Sequence, residues 1–259
     1  MQIVLFSGCS QEQKSSAIPD QPTTGQKQIG LSYKSFQVIN SSVQLDRKEF
    51  ESADLRILFV GNSHTRTSPE YLGQLLRQNT PKPKILIARS MGGFLVDHLK
   101  NNNTNALLDI GKWDFVILQA QKYSTSGKYI YPIDGAIELA DRATTKGSTV
   151  VMFPEWSRRD HPDEFKRINS IHKEIAKKTG AVVAPIGKCW QAVAKKIPQL
   201  GLYHADGNHA SPNGHFVNAC VFYELIRSSQ EKINLEEIDS SNQFESQIAK
   251  IVWEQLRSK

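Results

Sequence analysis

The sequence lacks several features that would assign it to a class at once. No apolar run approaches the roughly 20 residues of a membrane-spanning helix, and no repeat period stands out. The phosphate-binding pattern Gly-x-x-x-x-Gly-Lys-Ser/Thr is also absent. Only three cysteines occur, and two of them, Cys189 and Cys220, fall in predicted helices, where the sequence leaves open whether they pair. These absences argue against a spanning membrane protein, a repeat protein and a P-loop nucleotide binder.

The composition is that of an ordinary globular chain. Of 259 residues, 39% are hydrophobic and 22% are charged, which is enough for one sizeable α/β domain. The net charge of +6 is spread over Lys and Arg residues that lie mostly opposite the apolar faces of predicted helices. This pattern favours a solvated basic surface, so we expect no nucleic-acid partner.

The first residues resemble the end of a bacterial lipoprotein signal, in which small residues precede a cysteine that becomes acylated. Cys9 is the corresponding cysteine, and the polar residues 10–28 read as a flexible tether. No Lys or Arg precedes the apolar run and the run is short, which a start codon assigned too far downstream would explain. We expect an envelope protein that touches the membrane only through a lipid on Cys9. The alternative is a cytoplasmic chain with a free Cys9.

From residue 55 onward, short apolar segments alternate with amphipathic ones. This alternation predicts a parallel sheet with helices on both faces. The predicted strands are 55–60, 84–88, 115–119, 149–153 and 181–184. The predicted helices are 70–79, 134–144, 163–179, 186–196, 214–227 and 244–256. Loose alternation before them suggests a short hairpin or arm, so the chain is divided into residues 1–28, an arm at 29–52 and a domain at 53–259.

Ser63 stands where the first predicted strand gives way to a helix. Gly61 follows the strand, and side chains at the carboxyl end of a parallel strand project into the crevice where α/β proteins bind ligands. Ser63 is therefore a candidate nucleophile. A Gly-x-Ser turn taken alone is more often an ordinary turn with a capping serine.

Three other predicted loops at the same edge of the sheet carry unusual residues. The Gly92-Gly93 pair follows the second strand, where glycine lets backbone N–H groups approach a ligand. Gln119 and Gln121 end the third strand, and each amide can donate hydrogen bonds. Asp206 precedes His209 by three residues in a turn rich in Gly and Asn, a spacing that lets the carboxylate orient the imidazole.

These segments, in this order, resemble the SGNH hydrolase (GDSL esterase) superfamily, and the resemblance covers roughly residues 55–227. It implies a flavodoxin-like three-layer α/β/α fold with a five-stranded parallel sheet. It also implies catalysis without a cofactor and hydrolysis of esters, often acetyl groups on carbohydrates or acyl groups on lipids and thioesters.

The resemblance also implies a role for each site residue. Ser63 corresponds to the nucleophile, with Asp206 and His209 as the orienting acid and the base. The implied oxyanion donors are the N–H of Ser63, the N–H of Gly93 and the amide of Gln119. Gln121 is the alternative third donor, because residues two apart on a strand face the same way. The family's usual third-block Gly-x-Asn is missing here, and Asn62 stands where Asp is common.

The remaining candidates concern the pocket. His64 is expected to lie in the pocket rather than act as the base, because neighbouring residues on a turn point apart. The other histidines lack metal-ligand spacing, so no metal is expected. The loops 123–132 and 154–162 contribute residues that either bind a sugar or pack: Tyr129, Tyr131, Trp156 and Arg158. The predicted function is a serine esterase for short acyl groups on glycans or similar small molecules. The alternative is a non-catalytic carbohydrate- or lipid-binding protein of the same fold.

Overall fold

The computed structural model describes residues 36–79, 81–230, 233–238 and 243–257. Cys9, the predicted tether and the start of the predicted arm lie outside these residues. None of the helices in the described part is both long enough and apolar enough to span a bilayer.

Five parallel strands form one sheet, as the alternation of the sequence predicted. They are β1 Leu55–Gly61, β2 Ile85–Met91, β3 Phe115–Gln119, β4 Thr149–Phe153 and β5 Val182–Val183, in the spatial order β2-β1-β3-β4-β5. β1 pairs with β2 on one side, where Gly61 is opposite Met91. On its other side β1 pairs with β3. β2 extends three residues past its predicted end, so the expected loop after it begins only at Gly92.

Nine helices accompany the sheet in the described residues. They are α1 Arg47–Ser52, α2 Ser68–Arg77, α3 Leu95–His98, α4 Asn102–Asp109, α5 Asp134–Thr145, α6 Glu164–Thr179, α7 Ile186–Lys196, α8 Pro212–Ser229 and α9 Gln243–Arg257. The ends of α8 and α6 show why the predictions came close. Ser211 caps α8 by accepting a hydrogen bond from the N–H of Gly214, and Pro212 is its first residue. Gly180 ends α6 with a φ of 73°, a backbone conformation that favours glycine.

Two hydrophobic clusters lie on opposite faces of the sheet. Alternate residues of β1 divide between them, because successive strand side chains point to opposite faces. Leu55, Ile57 and Phe59 pack in the cluster that includes α2, α7, α8 and α9. Leu58 and Val60 pack in the cluster that includes α4 and α5. The fold is therefore a three-layer α/β/α sandwich.

The arm predicted before β1 is not a hairpin in its described part. Residues 42–44 form a 3₁₀ turn and α1 follows, with the side chain of Asp46 accepting a hydrogen bond from the N–H of Glu49. Ile39 makes one parallel bridge to Ala88 of β2, and Phe36 is buried in the core. The short alternating stretches were too few to specify a strand pair, and an N-capped helix formed instead.

The strand order places a crevice at the carboxyl end of β1. The chain leaves β1 to form β2 on one side and then returns to form β3 on the other side. Neighbouring connections therefore cross opposite faces of the sheet and leave an opening between them. Ser63, two residues after the end of β1, lies at this opening.

Candidate active site

Ser63, His209 and Asp206 form a continuous chain of hydrogen bonds. Ser63 Oγ lies 2.9 Å from His209 Nε2, and His209 Nδ1 lies 2.6 Å from Asp206 Oδ2. A carboxylate can only accept, so Nδ1 carries the ring proton, and Nε2 of the neutral ring accepts from the serine hydroxyl. The three side chains, predicted from loops 146 residues apart, are brought together in the order serine, imidazole, carboxylate.

Asp206 is held as a carboxylate by its neighbours. Burial alone would raise the pKa of Asp206, but hydrogen bonds from the His209 ring and from the backbone N–H groups of Asn208 and His209 outweigh it and lower the pKa well below its usual range. Both backbone bonds are 2.9 Å long and end on Oδ1. One oxygen therefore fixes the turn while the other orients the imidazole.

The loop that carries Asp206 and His209 is fastened to the segment after β4. The indole N–H of Trp156 donates to the carbonyl of Asn208 at 2.9 Å, and the N–H of Arg159 donates to the carbonyl of Gly207 at 2.9 Å. Within the loop, the N–H of His204 donates to the carbonyl of His209 at 2.8 Å. These bonds fix the backbone on both sides of the imidazole.

The turn that carries Ser63 is packed tightly against β3. A Cβ on Gly61 would lie 2.5 Å from both Gln119 Oε1 and Thr65 Oγ1, so only glycine fits there. The Gly61 carbonyl accepts from the N–H of Gly92 at 2.8 Å and from His98 Nε2 at 3.1 Å. Burial lowers the pKa of His98, which keeps the ring neutral. The turn is thus held from below by α3 and β3.

Two backbone N–H groups near Ser63 are free to meet a substrate oxygen. The N–H groups of Ser63 and Gly93 make no hydrogen bond to any described residue. Gly92 and Gly93 have φ values of 127° and 72°, conformations that L side chains rarely adopt. Because Gly92 bonds to Gly61, this loop lies directly beside the serine turn. Both N–H groups that were predicted as oxyanion donors therefore have no acceptor among the described residues and can still donate.

The structure corrects the prediction for Gln119. Its side chain is fully buried, and its amide nitrogen donates to Glu155 Oε1 at 2.8 Å. Its carbonyl oxygen accepts from the N–H of Asn62 at 2.8 Å and from the hydroxyl of Thr65 at 3.1 Å. Both polar atoms of the side chain are hydrogen-bonded inside the fold. Gln119 therefore braces the turn that carries Ser63 and does not reach the crevice.

Gln121, the alternative donor, is not available either. Ala120 has a φ of 79°, so β3 ends at Gln119 and the two glutamines do not share a strand face. The amide of Gln121 is buried and donates to the carbonyls of Lys122 and Pro132. Gln121 therefore anchors the following loop.

His64 lies against the imidazole of His209. The two rings stack with centroids 4.7 Å apart and an interplanar angle of 25°. His64 makes no hydrogen bond with Ser63. Its Nδ1 is 3.3 Å from Asn62 Oδ1, and its Nε2 is 3.9 Å from Glu155 Oε2. His64 is thus a neighbour of His209 with its own partners.

Trp156, expected as a possible pocket residue, is buried. Only 2% of it is exposed, and its ring stacks on Trp190 with centroids 4.1 Å apart. Arg158 is held by Glu164, its Nε donating to Oε1 at 2.9 Å. These two candidates belong to the packing of the site. Tyr129 is 67% exposed and Tyr131 is partly exposed, so both remain accessible.

The two cysteines of the described residues do not pair. Cys189 and Cys220 are both free and buried, and burial raises the pKa of Cys189 to about 12. The described residues also contain no group of three or more His, Cys, Asp or Glu side chains placed to hold a metal ion.

Glu155 and His98 are the site residues that sequence reasoning missed. Glu155 comes two residues after the end of β4, so its position at a strand end was the available signal. His98 lies in α3, a four-residue helix that no periodicity reveals.

Fold and site together define a class of protein. A parallel α/β/α sandwich holds a hydrogen-bonded serine, histidine and aspartate, with unpaired backbone N–H groups beside the serine, at the switch point of its sheet. This is the arrangement used by serine-dependent acyl hydrolases.

Comparisons with known proteins narrow this class. No family model and no curated protein matches the sequence. Solved structures do match. A protein from Slackia heliotrinireducens assigned as an SGNH hydrolase is 28% identical with a TM-score of 0.54, over 66% of this chain and 97% of that one. The structural matches support assignment of the chain to the SGNH hydrolase superfamily, and the similar proteins are ester-hydrolysing enzymes.

More distant structures share the fold. Axe2, an acetylxylan esterase from Geobacillus stearothermophilus, is 17% identical with a TM-score of 0.55, over 70% of this chain and 97% of that one. LAE5, an alpha/beta hydrolase from the metagenome of Lake Arreo, Spain, is 13% identical with a TM-score of 0.53, over 70% of this chain and 98% of that one. Catalytic mutants of Axe2 replace a serine, an aspartate and a histidine.

Proposed function

We propose that this chain is a serine esterase that removes O-acetyl or other short acyl groups from carbohydrates or similar small substrates. The observation that carries the proposal is the hydrogen-bonded chain from Asp206 through His209 to Ser63. A serine hydroxyl is a weak nucleophile at neutral pH, and a base within 2.9 Å is what activates it.

In the proposed reaction, Ser63 Oγ attacks the ester carbonyl while its proton moves to His209 Nε2. The carbonyl then reforms as the C–O bond to the alcohol breaks, and the same proton passes to the leaving alcohol. Water repeats the sequence on the acyl-serine and releases the acid. Asp206 keeps the imidazole oriented and stabilises the imidazolium through its 2.6 Å bond.

The negative charge on the carbonyl oxygen would be met by the N–H groups of Ser63 and Gly93. Each such donor typically lowers the barrier by about 3 kcal/mol when it is fixed in advance. Both groups lie on turns whose backbones are held by other hydrogen bonds, through Gln119 and Gly61 respectively. Preorganisation is therefore supplied by the turns themselves, and no side-chain amide is required.

Two features support an acyl group carried on a larger molecule. Ser63 is exposed, so an ester on a bulky alcohol can approach it. Axe2, which shares the fold, acts on acetylxylan. We extend this substrate class to the present chain as part of the proposal. Envelope localisation through a lipid on Cys9 also stays a proposal, based on the sequence around that residue alone.

The test is acetate release from acetylated xylo-oligosaccharides and from p-nitrophenyl acetate. Ser63→Ala and His209→Ala should each lower kcat by on the order of 10⁴-fold or more, and the double variant should be little worse than either, because the residues act as one unit. Ser52→Ala, at an exposed serine of α1, is the matched control and should keep full activity. No turnover by the native protein would favour the non-catalytic binding protein, and additive losses would contradict a shared catalytic unit.

A further inference from the structure

Next to the loop of Gly92 and Gly93, a lysine with no acceptor among the described residues lies between two aromatic rings. The Lys122 ammonium is 5.3 Å from the centre of the Phe94 ring and 4.4 Å from that of Tyr131. It makes no hydrogen bond or ion pair with any other residue that the structure describes. An ammonium carries three donors, and aromatic faces attract it but do not use those donors.

These residues adjoin the proposed reaction centre through the backbone. Phe94 follows Gly93 directly, and the N–H of Leu95 donates to the carbonyl of Ala120 at 3.0 Å. This bond brings the Gly93 loop against the chain that leads to Lys122. Because Gly92 of the same loop bonds to Gly61, the Lys122 segment lies on the far side of the Gly93 loop from the serine turn, at the same edge of the sheet.

The same surface continues into a cavity under the loop between β3 and α5. The cavity has a volume of about 480 Å³, within the usual range for small-ligand sites. Tyr131 belongs both to its wall and to the contact with Lys122. Its other walls include Tyr129, Arg167 and Glu174. The cavity therefore offers exposed aromatic surface, from Tyr129 and partly from Tyr131, next to charged side chains.

The chemistry of the surface suits one occupant. A sugar presents apolar C–H faces and a rim of hydroxyl groups, which match aromatic rings and unpaired donors or charged acceptors. A long acyl chain would cover the Lys122 ammonium without offering it an acceptor, and burying an unsatisfied charge is costly. The mixture of rings and charges therefore favours the carbohydrate side of the ester over an acyl tail.

We propose that Phe94, Lys122 and Tyr131 form a binding site, here named the Lys122 site, for the sugar chain that carries the scissile ester, and that the chain extends toward the cavity beside Tyr129. Lys122 donates to sugar hydroxyls while the two rings contact the sugar faces. The proposal rests on the proposed esterase function and adds to it a site for the alcohol part of the substrate.

The experiment compares two acetate esters of very different size. Acetate release is measured from mono-acetylated xylotriose and from ethyl acetate, and the ratio of the two kcat/KM values is the readout. Lys122→Met removes the charge but keeps the apolar stem, and Tyr131→Ala removes a ring. Each should lower the ratio by about tenfold, mainly through KM for the oligosaccharide, as expected for the loss of one good contact. Lys128→Met is the matched control, because Lys128 is exposed in the same loop, and it should leave the ratio unchanged.

Failures of the two proposals are distinguishable. If the native protein releases acetate from neither ester, the esterase function itself is wrong. If it hydrolyses both esters, and the Lys122→Met and Tyr131→Ala ratios equal the native ratio, the Lys122 site is wrong. A variant that instead changes the preference between ethyl acetate and ethyl butyrate would show that the surface binds the acyl group, which also overturns the proposal.

Discussion

Gln119 is a buried amide that braces the turn carrying Ser63, the proposed nucleophile. Its carbonyl oxygen accepts from the N–H of Asn62, the residue before Ser63. Which end of the amide faces Asn62 is decided by Glu155, whose carboxylate can only accept and therefore takes the NH₂ group. Glu155, after β4, thus fixes the orientation of the Gln119 amide on β3. That amide in turn holds the turn after β1 in place.

This arrangement predicts coupled losses at Gln119 and Glu155. Gln119→Ala should lower kcat by about 10²-fold with little change in KM, because a small displacement of the nucleophile is expensive. Glu155→Ala should reproduce much of that loss, and the double variant should be little worse than Gln119→Ala. Glu155→Gln is the matched control: its side-chain oxygen can still accept from Gln119, so most activity should remain.

Steady-state kinetics on p-nitrophenyl acetate give the needed comparison. Independent, additive effects of the two alanine variants would mean that Gln119 does not act through Glu155.

The residue scale also shows what the sequence can and cannot reveal. Asp206 and His209 were predictable because their contact is local, three residues apart in one turn. The direction of the Gln119 amide was not, since it depends on Glu155, 36 residues further along the chain. A family pattern places a residue type at a position but does not say which of its atoms is already occupied.

The observed bounds of a strand differ from the predicted ones where its polar residues have partners that the sequence does not reveal. β3 and β4 occupy the predicted ranges because their apolar runs begin and end sharply. β2 continues through Arg89 and Ser90, which read as a loop. In the structure Arg89 pairs with Glu70 at 2.8 Å, and Ser90 Oγ lies 2.8 Å from Thr104 Oγ1. Polar residues with partners can remain in a buried strand.

The two short helices after β2 were not predicted at all. α3 has four residues, and α4 lies in an asparagine-rich stretch that favours turns. α4 forms because the side chain of Asn101 caps it, accepting from the N–H of Thr104 at 3.0 Å. The first of these helices, α3, places His98 against the carbonyl of Gly61. His98 was therefore not predicted as a site residue because its helix was not predicted.

At the scale of the whole molecule, the three-layer architecture could be predicted from the alternation of strands and helices. This alternation is typical of a parallel sheet covered by helices on both faces. The stability of the fold at low pH depends on a feature that the sequence does not reveal, namely the histidines that are buried in their neutral form. Burial lowers the pKa of His172 to about 4 and the pKa of His215 to about 3. Both values lie far below the roughly 6.5 of an unfolded chain.

Acid should therefore destabilise the fold well above the range in which carboxylates titrate. As the pH falls below about 6.5, the unfolded chain takes up protons at these histidines that the folded chain refuses, so the free energy of unfolding decreases. The decrease from His172 ends near pH 4, and that from His215 near pH 3. Between pH 6.5 and pH 5, each histidine should cost about 2 kcal/mol.

Urea denaturation at pH 7 and pH 5 measures this cost. His172→Gln should show a decrease between the two pH values about 2 kcal/mol smaller than that of the native protein, because the titrating group is gone. His161→Gln, at an exposed histidine, should leave the decrease unchanged. An equal decrease in the native protein and His172→Gln would mean that His172 is not held neutral.

The measurement that tests the central claim most directly is the identification of the residue that becomes covalently modified during the reaction. The protein is treated with a fluorophosphonate, which traps an activated serine, and the adduct is located by peptide mass spectrometry. We predict one adduct per chain, on Ser63, formed at least about 10³-fold more slowly in His209→Ala because the base is absent. An adduct on another residue, or modification of Ser63 at the same rate without His209, would contradict the account.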